Sequence, residues 1–286
     1  MRVRFRLVDV FTEARFAGNQ LCVVADPPAE LDTPTMQMLA KEIGFSETTF
    51  VSEAVGDRYT MRIFTPNREL PFAGHPTLGT AFTLAHDGLI TSPAVQTTAV
   101  GEVPVEANVD TGFAWMTQRP PAFGDEFDDR DLLARAAGLD AGELHPDLPA
   151  QIVSTGLGPL LIPVRDETTL RRAERDGRAA LEAAKGSGGE CLYYFAMRAD
   201  GDVMARMFDP YFGIGEDPAT GSAAGPLGAY LGARGLAGMP GRMVVAQGEV
   251  VGRPSFLHVD ARIDGDSWAM RVGGGVRIVG EGSFEV

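Results

Sequence analysis

Two short stretches of this chain carry residue types suited to proton chemistry, and they are versions of each other. The first reads Arg62-Met-Ile-Phe-Thr-Pro and continues through Glu69-Leu-Pro-Phe-Ala-Gly74-His75-Pro-Thr. The second reads Arg206-Met-Phe-Asp-Pro and, past Phe212-Gly213-Ile214, continues through Glu216-Asp217-Pro-Ala-Thr220-Gly221-Ser222. Each spells a strand, a turn-rich loop, a glycine followed by His or Ser, and a helix start. A helix N-terminus carries unpaired N–H groups and a partial positive charge, and a glycine there lets a ligand approach the backbone. Gly74-His75 and Thr220-Gly221-Ser222 are therefore candidate anion sites, suited to a small carboxylate gripped by two helix starts that face each other. A single such glycine need only permit tight packing of a buried helix. Two at matching positions, one beside His75 and the other beside Asp217 and Ser222, favour a ligand.

At the positive end of a helix dipole His75 favours its neutral form, which suits hydrogen bonding or acid/base work. Asp217 reads as a turn aspartate or a site residue. Ser222 reads as a helix cap, a ligand contact, or both. Glu47 lies in the apolar run Phe45-Ser-Glu47-Thr-Thr-Phe-Val51, where an ionised carboxylate needs a partner. It is either an edge-strand glutamate facing water or a desolvated carboxyl with a raised pKa that accepts and returns a proton. Periodicity leaves both open.

The elements that must position these groups follow from patterning. Strands are predicted over 3–10, 21–25, 45–51 and 58–64. A helix opens at Thr33-Pro34, with the threonine hydroxyl as its cap, and stops at Gly44. The stretches 77–85 and 222–233 carry no charged residue. Helices apolar on every side are buried on every side, so strands must surround each of them. In the second half a helix is predicted over 131–138, strand character over 151–164, one charged surface helix over 167–185, and a strand over 191–197. The tail gives two strand pieces, 277–279 and 283–286.

The spacing shows an internal duplication. Gly74 and Gly221 stand 147 positions apart, as do Gly88 and Gly235, which end the two apolar helices. Gly101-Glu-Val and Gly248-Glu-Val, read as strand starts, share that offset, and Asp110-Thr-Gly112 and Asp264-Gly265 are the turns that follow. We therefore read an α+β fold of two pseudo-symmetric halves, each with strands rolled round one buried central helix. The first is 1–118, with the tail strand 278–286 a candidate to complete it. The second is 119–277, entered through the linker Arg119–Phe127.

Composition bounds the partners. With 25 Lys and Arg against 39 Asp and Glu, the net charge is −14. That disfavours nucleic acid and anionic membranes as partners and says nothing against a small anion in a pocket. The two cysteines, Cys22 and Cys191, sit in apolar strands and read as core thiols of a cytoplasmic protein. No stretch reaches transmembrane length. No dinucleotide fingerprint, P-loop, Cys-x-x-Cys or His-Glu-x-x-His is present, so no nucleotide, metal or covalent cofactor is expected.

These motifs resemble the PhzF family of phenazine-biosynthesis isomerase-like proteins, within the diaminopimelate-epimerase-like fold. The matching pieces are Asp9-Val-Phe-Thr, Phe16-Ala-Gly-Asn19, Gly44-Phe-Ser-Glu47-Thr-Thr-Phe, Glu69-Leu-Pro-Phe-Ala-Gly-His75, Glu216-Asp-Pro-Ala-Thr-Gly-Ser222 and Gln247-Gly. Gln20 stands where the family more often has Pro. The resemblance implies two β-rolls, a homodimer, and Glu47 as general acid/base, with His75 and Asp217 beside it in the catalytic set. It implies Gly74, Gly221, Ser222, Thr220 and Asn19 as contacts for a small carboxylate. Relatives on this fold that epimerise with two thiols carry a cysteine at each helix start. Here those positions are near Ala73 and Pro218, which points to a proton shift within one molecule, as on trans-2,3-dihydro-3-hydroxyanthranilate. The alternatives are an epimerase or lyase reaction on another small carboxylate, and a non-catalytic small-acid binder.

Overall fold

The computed structural model describes the chain except residues 99–100, 200, 212–214 and 266, together with the side chain of residue 264. Three residues of the second repeated motif, 212–214, thus lie outside the described residues. The chain divides into two compact units, Met1–Thr117 with Gly273–Val286, and Gln118–Val272.

The first unit holds β1 (Arg2–Val10), β2 (Asn19–Val24), α1 (Thr33–Ile43), β3 (Glu47–Val55), β4 (Arg58–Phe64) and β5 (Glu69–Leu70). These are followed by α2 (Gly74–His86), β6 (Ala94–Thr98), β7 (Gly101–Asn108) and β8 (Phe113–Gln118). The second unit holds β9 (Ala122–Phe127), α3 (Arg130–Ala136), β10 (Ala150–Ser154), β11 (Leu160–Pro163), α4 (Glu167–Arg172) and α5 (Gly177–Ser187). It continues with β12 (Leu192–Met197), β13 (Val203–Phe208), β14 (Glu216–Asp217), α6 (Gly221–Gly232), β15 (Gly241–Gln247) and β16 (Ser255–Asp264). The last strand, β17 (Ser267–Glu285), starts in the second unit and ends in the first.

In the first unit β1 pairs antiparallel with β2, and β2 parallel with β3, with α1 as the crossover. β3 and β4 form a hairpin, and β4 pairs parallel with β6 through the crossover α2. β6, β7 and β8 meander, β8 pairs with β17, and β17 pairs with β1 from Arg2↔Glu285 to Val10↔Val276. The sheet closes on itself round α2. Every residue of α2 from Gly74 to Leu84 is buried. Its threonines are satisfied inside the helix or by the wall: Thr83 Oγ1 donates to the Gly79 carbonyl, and Thr80 Oγ1 lies 2.9 Å from Thr49 Oγ1. That is how an uncharged polar residue is kept in a dry interior.

The second unit repeats the connections. β10 pairs antiparallel with β11, β11 parallel with β12 across α4 and α5, and β12 antiparallel with β13. β13 pairs parallel with β15 through the buried helix α6, and β15 antiparallel with β16. The duplication read from spacing is thus a duplication of topology. It extends to a shared anchor below each helix start. Arg62 donates twice to Glu69 at 2.7 Å, and Arg206 donates to Glu216 at 2.9 and 2.6 Å. Each guanidinium lies 5.0 Å from the ring of the Phe two residues on, Phe64 or Phe208.

Five expectations need correction. Asp32, not Thr33, caps α1, accepting from Thr35 N at 2.9 Å, while the Thr33 hydroxyl accepts from Arg62. Most of the expected linker is the strand β9, paired with β10; five of its six residues are exposed, so it spells polar loop. The charged helix is two helices, because Asp176 caps a second one and its carboxylate accepts from Arg178 N and Ala179 N. Gly248 does not start a strand: at φ +78° it turns the chain after β15, and β16 begins at Ser255. The tail is one strand of 19 residues, running unbroken through Gly273-Gly-Gly275. Those glycines answer to crowding. A Cβ on Gly273 would sit 2.6 Å from the Ala114 carbonyl oxygen, and one on Gly275 would sit 2.3 Å from that of Thr12.

Candidate active site

In the first unit the fold brings Asn19, Glu47, Gly74 and His75 together. Asn19 opens β2 and Glu47 opens β3, in the parallel pair whose register sets Leu21 opposite Glu47. β3 is paired on both sides, with β2 and with β4, so Glu47 is not on an edge strand. Its side chain is 15% exposed, and Oε2 lies 3.5 Å from Nε2 of His75. His75 is buried in the first turn of α2. Asn19, also buried, places Nδ2 at 3.2 Å from His75 Nδ1, and its Oδ1 accepts from Ser46 Oγ at 3.1 Å. The N-cap residue of α2, Ala73, has no side chain able to satisfy the first-turn N–H groups.

The loop before Asn19 is held under strain. Phe11 and Phe16 have φ of +66° and +68°, a region unfavourable for bulky residues. The buried Asp9 carboxylate accepts from Phe16 N at 2.6 Å and fixes the loop, while the Phe16 ring stays exposed. The sequence signal for this brace is an aspartate near the end of β1, within the Asp9-Val-Phe-Thr piece of the family resemblance.

In the second unit Asp217, Thr220, Gly221 and Ser222 gather at the start of α6. Asp217 is buried in the short strand β14, opposite Met207. Thr220 occupies the N-cap position, yet its hydroxyl does not cap the helix; it donates to Asp217 Oδ2 at 2.6 Å. Ser222 is not the cap either: it lies inside the helix and is part-exposed, while every residue from Ala223 to Leu231 is buried. Both central helices therefore begin without a side-chain cap.

Gln247, at the end of β15, organises this second cluster, and no role had been read for it. Its Nε2 donates to the Asp217 carbonyl at 2.7 Å and to Thr220 Oγ1 at 3.0 Å. Its Oε1 accepts from Thr220 N at 3.2 Å and from the Tyr193 hydroxyl at 2.9 Å. Burial, with Cys191 and Asp217 nearby, pushes the Tyr193 phenol well up, so it stays a donor. Gly248 completes the support: a Cβ there would fall 2.6 Å from the Pro218 carbonyl oxygen. The sequence signal was a glutamine closing the apolar run Met243-Val-Val-Ala.

The first unit offers a carboxyl largely withdrawn from water beside an imidazole at an uncapped helix start, and the second unit, by itself, an aspartate locked by a threonine at another. Neither thiol competes for the chemistry. Burial raises Cys22 to about 12, and burial together with the charge of Asp217 raises Cys191 further. No group of three or more His, Cys, Asp or Glu among the described residues is placed to hold a metal ion. No described helix is long and apolar enough to cross a membrane.

Comparison with known proteins places the chain in a family. The family described as "Phenazine biosynthesis-like protein" (PhzC-PhzF) matches residues 8–282. An uncharacterised isomerase of Clostridium acetobutylicum is 33% identical over 270 residues, covering 90% of this chain and 89% of that protein. The trans-2,3-dihydro-3-hydroxyanthranilate isomerase of Pseudomonas chlororaphis is 34% identical over 266 residues, covering 90% and 91%. The crystal structure of the Bacillus anthracis phenazine biosynthesis protein of the PhzF family superposes with a TM-score of 0.89 at 27% identity over 100% of both chains. The repeated topology on two buried helices is thus shared with relatives that are named isomerases, and the chain belongs to the phenazine biosynthesis-like (PhzC-PhzF) family.

Proposed function

We propose that this isomerase shifts a proton and its double bonds within a small carboxylic acid, without a cofactor, on a substrate of the trans-2,3-dihydro-3-hydroxyanthranilate type. The observation that carries the reading is the Glu47 carboxyl, 15% exposed and 3.5 Å from His75 in the first turn of α2. A carboxyl so withdrawn from water is suited to proton transfer. As carboxylate it takes a proton from one carbon; as acid, after exchange with solvent, it delivers a proton to another as the double bonds move. Nothing else is consumed, and Glu47 ends as it began. His75 faces Glu47 at 3.5 Å and steadies the charge that develops there as the contact tightens on substrate. The N–H groups at Gly74, with Asn19, receive the substrate carboxylate, and Gly221, Thr220 and Ser222 form an anion site of the same kind in the second unit. Asp217, accepting from Thr220 at 2.6 Å, orients the hydroxyl of that second site. The relative named for that isomerisation supports the substrate type.

The test is turnover in deuterium oxide with trans-2,3-dihydro-3-hydroxyanthranilate and a panel of dihydro-hydroxybenzoates and amino-acid-like acids. The expected product has moved double bonds and solvent deuterium at the newly protonated carbon. Exchange at a stereocentre with no bond shift would mean an epimerase. Binding across the panel with no exchange at all would mean a non-catalytic binder.

A further inference from the structure

The first-unit cluster contains a row of hydrogen-bonding groups that ends on His75. Ser46 Oγ lies 3.1 Å from Asn19 Oδ1, Asn19 Nδ2 lies 3.2 Å from His75 Nδ1, and His75 Nε2 lies 3.5 Å from Glu47 Oε2. Asn19 and His75 are buried, at 1% and 4% exposure, so each polar contact weighs heavily. The row can be polarised in two directions. In one, Ser46 donates to Asn19, Asn19 donates to Nδ1, and the imidazole carries its proton on Nε2. In the other, the amide is turned over, Nδ1 carries the proton, and Nε2 presents a lone pair to Glu47.

Glu47 favours one of them, and Ser46 holds the amide to it. A carboxylate accepts and does not donate, and a lone pair facing it at 3.5 Å would be repelled. Only the first direction puts an N–H in front of the carboxylate. It also keeps the imidazole neutral, in keeping with its place in the first turn of α2, where a cation is disfavoured. Ser46 supplies the asymmetry: its hydroxyl donates to Oδ1 and so turns Nδ2 towards His75. The neighbouring residues in sequence, Ser46 and Glu47, thus touch the two ends of one row.

We propose that Ser46 and Asn19 are positioning residues that lock His75 as the Nε2–H tautomer, so that a hydrogen-bond donor faces Glu47 throughout the proton shift. The role in turnover rests on Glu47 being the acid/base; the tautomer does not. Asn19 then acts through His75, beyond any contact of its own with substrate.

The experiment is nitrogen-15 NMR on the full chain labelled at its four histidines, with the His75 signals assigned by their loss in His75→Gln. The wild type is expected to show His75 protonated at Nε2 and bare at Nδ1 across neutral pH. In Asn19→Asp a carboxylate faces Nδ1, and that nitrogen becomes protonated. A protonated Nδ1 in the wild type, or a bare one in Asn19→Asp, overturns the proposal. Ser46→Ala should mix the tautomers, and Ser46→Thr, which keeps the hydroxyl, should restore the wild-type pattern; a pure wild-type pattern in Ser46→Ala overturns the part given to Ser46. In turnover, Asn19→Asp is expected to lose kcat on the order of 100-fold, as when other orienting partners of a working histidine are changed. KM should rise as well, because the new carboxylate faces that of the substrate; a loss confined to KM, with kcat unchanged, overturns the positioning role. The wild-type spectrum needs no substrate. A chain that shows the Nε2–H tautomer yet isomerises nothing removes the isomerase reading and supports the relay.

Discussion

Oε2 of Glu47 and Nε2 of His75 stand 3.5 Å apart, one at the first residue of a strand and the other in the first turn of the helix that the strand encloses. The distance exceeds an ordinary hydrogen bond, and catalytic contacts often tighten only when substrate arrives. Glu47→Gln keeps the shape and hydrogen-bonding capacity and removes the titrating oxygen. The expected outcome is a fall in kcat of about 10²–10⁴-fold with substrate-carboxylate binding largely retained, read by steady-state turnover and calorimetric titration. Normal turnover in that variant would sink the mechanism.

Gln247 predicts a different signature. Its carboxamide makes four hydrogen bonds, to the Asp217 carbonyl, Thr220 N, Thr220 Oγ1 and the Tyr193 hydroxyl. Gln247→Leu fills nearly the same volume and leaves those groups buried and unmet. The expected cost is about 2–4 kcal/mol of stability with a loss of activity beyond what unfolding explains, because Asp217 is no longer held. Thermal melts read beside turnover at low temperature check it; an unchanged midpoint would show that water or rearrangement replaces the amide.

Much of this was legible in the sequence, for physical reasons that also mark the limits. The central helices could be seen because a helix with no polar face has only one place to go, and the repeat because glycines at helix starts and stops are hard to replace. Glu47 could be singled out but not placed: whether it faced water depended on β3 being paired on both sides, a long-range fact. Asp9 and Gln247 escaped for the same reason, since their partners Phe16, Thr220 and Tyr193 are set by the fold. The exposed strand β9 read as a linker because solvent-facing side chains carry no alternation. The tail read as broken because glycine ordinarily breaks strands, whereas here it makes room for Ala114 and Thr12.

The thiols are expected to be silent. Cys22 is buried with its pKa at about 12, and Cys191 is buried and raised further. At pH 8 the native chain should resist thiol reagents that label it fully in denaturant, since the thiolate is the reactive species. A Cys22→Ala, Cys191→Ala double variant should keep its turnover. Loss of turnover with the fold intact would return the two-thiol epimerase reading to consideration.

The duplicated Arg–Glu anchors separate geometry from energy. Arg206 and Glu216 side chains are 5% and 11% exposed, whereas those of Arg62 and Glu69 are 31% and 41% exposed. Removing one member of the buried pair strands a charge, so Arg206→Met is expected to cost about 3–5 kcal/mol. That shifts the midpoint by on the order of 10 °C. Solvent screens the other pair, and Arg62→Met should cost about 0–1 kcal/mol despite similar hydrogen-bond lengths. Equal losses in the two variants would mean that the anchors, not their burial, set the cost.

Acid should weaken the second unit through Asp260, whose side chain is 6% exposed. Hydrogen bonds from Arg262 and then Arg242 hold its carboxyl below the usual range. A folded-state pKa below the unfolded one means that the unfolded chain binds the proton more readily. The stabilisation is therefore complete above the unfolded value, about pH 4, and drains away as pH falls through the lower folded value. Asp260→Asn cannot titrate, so its stability should fall less steeply than the wild type's below about pH 4 and run parallel to it near neutrality. Urea midpoints measured every half pH unit on both chains check the sign; a wild-type curve no steeper than the variant's in that window would place the acid sensitivity elsewhere.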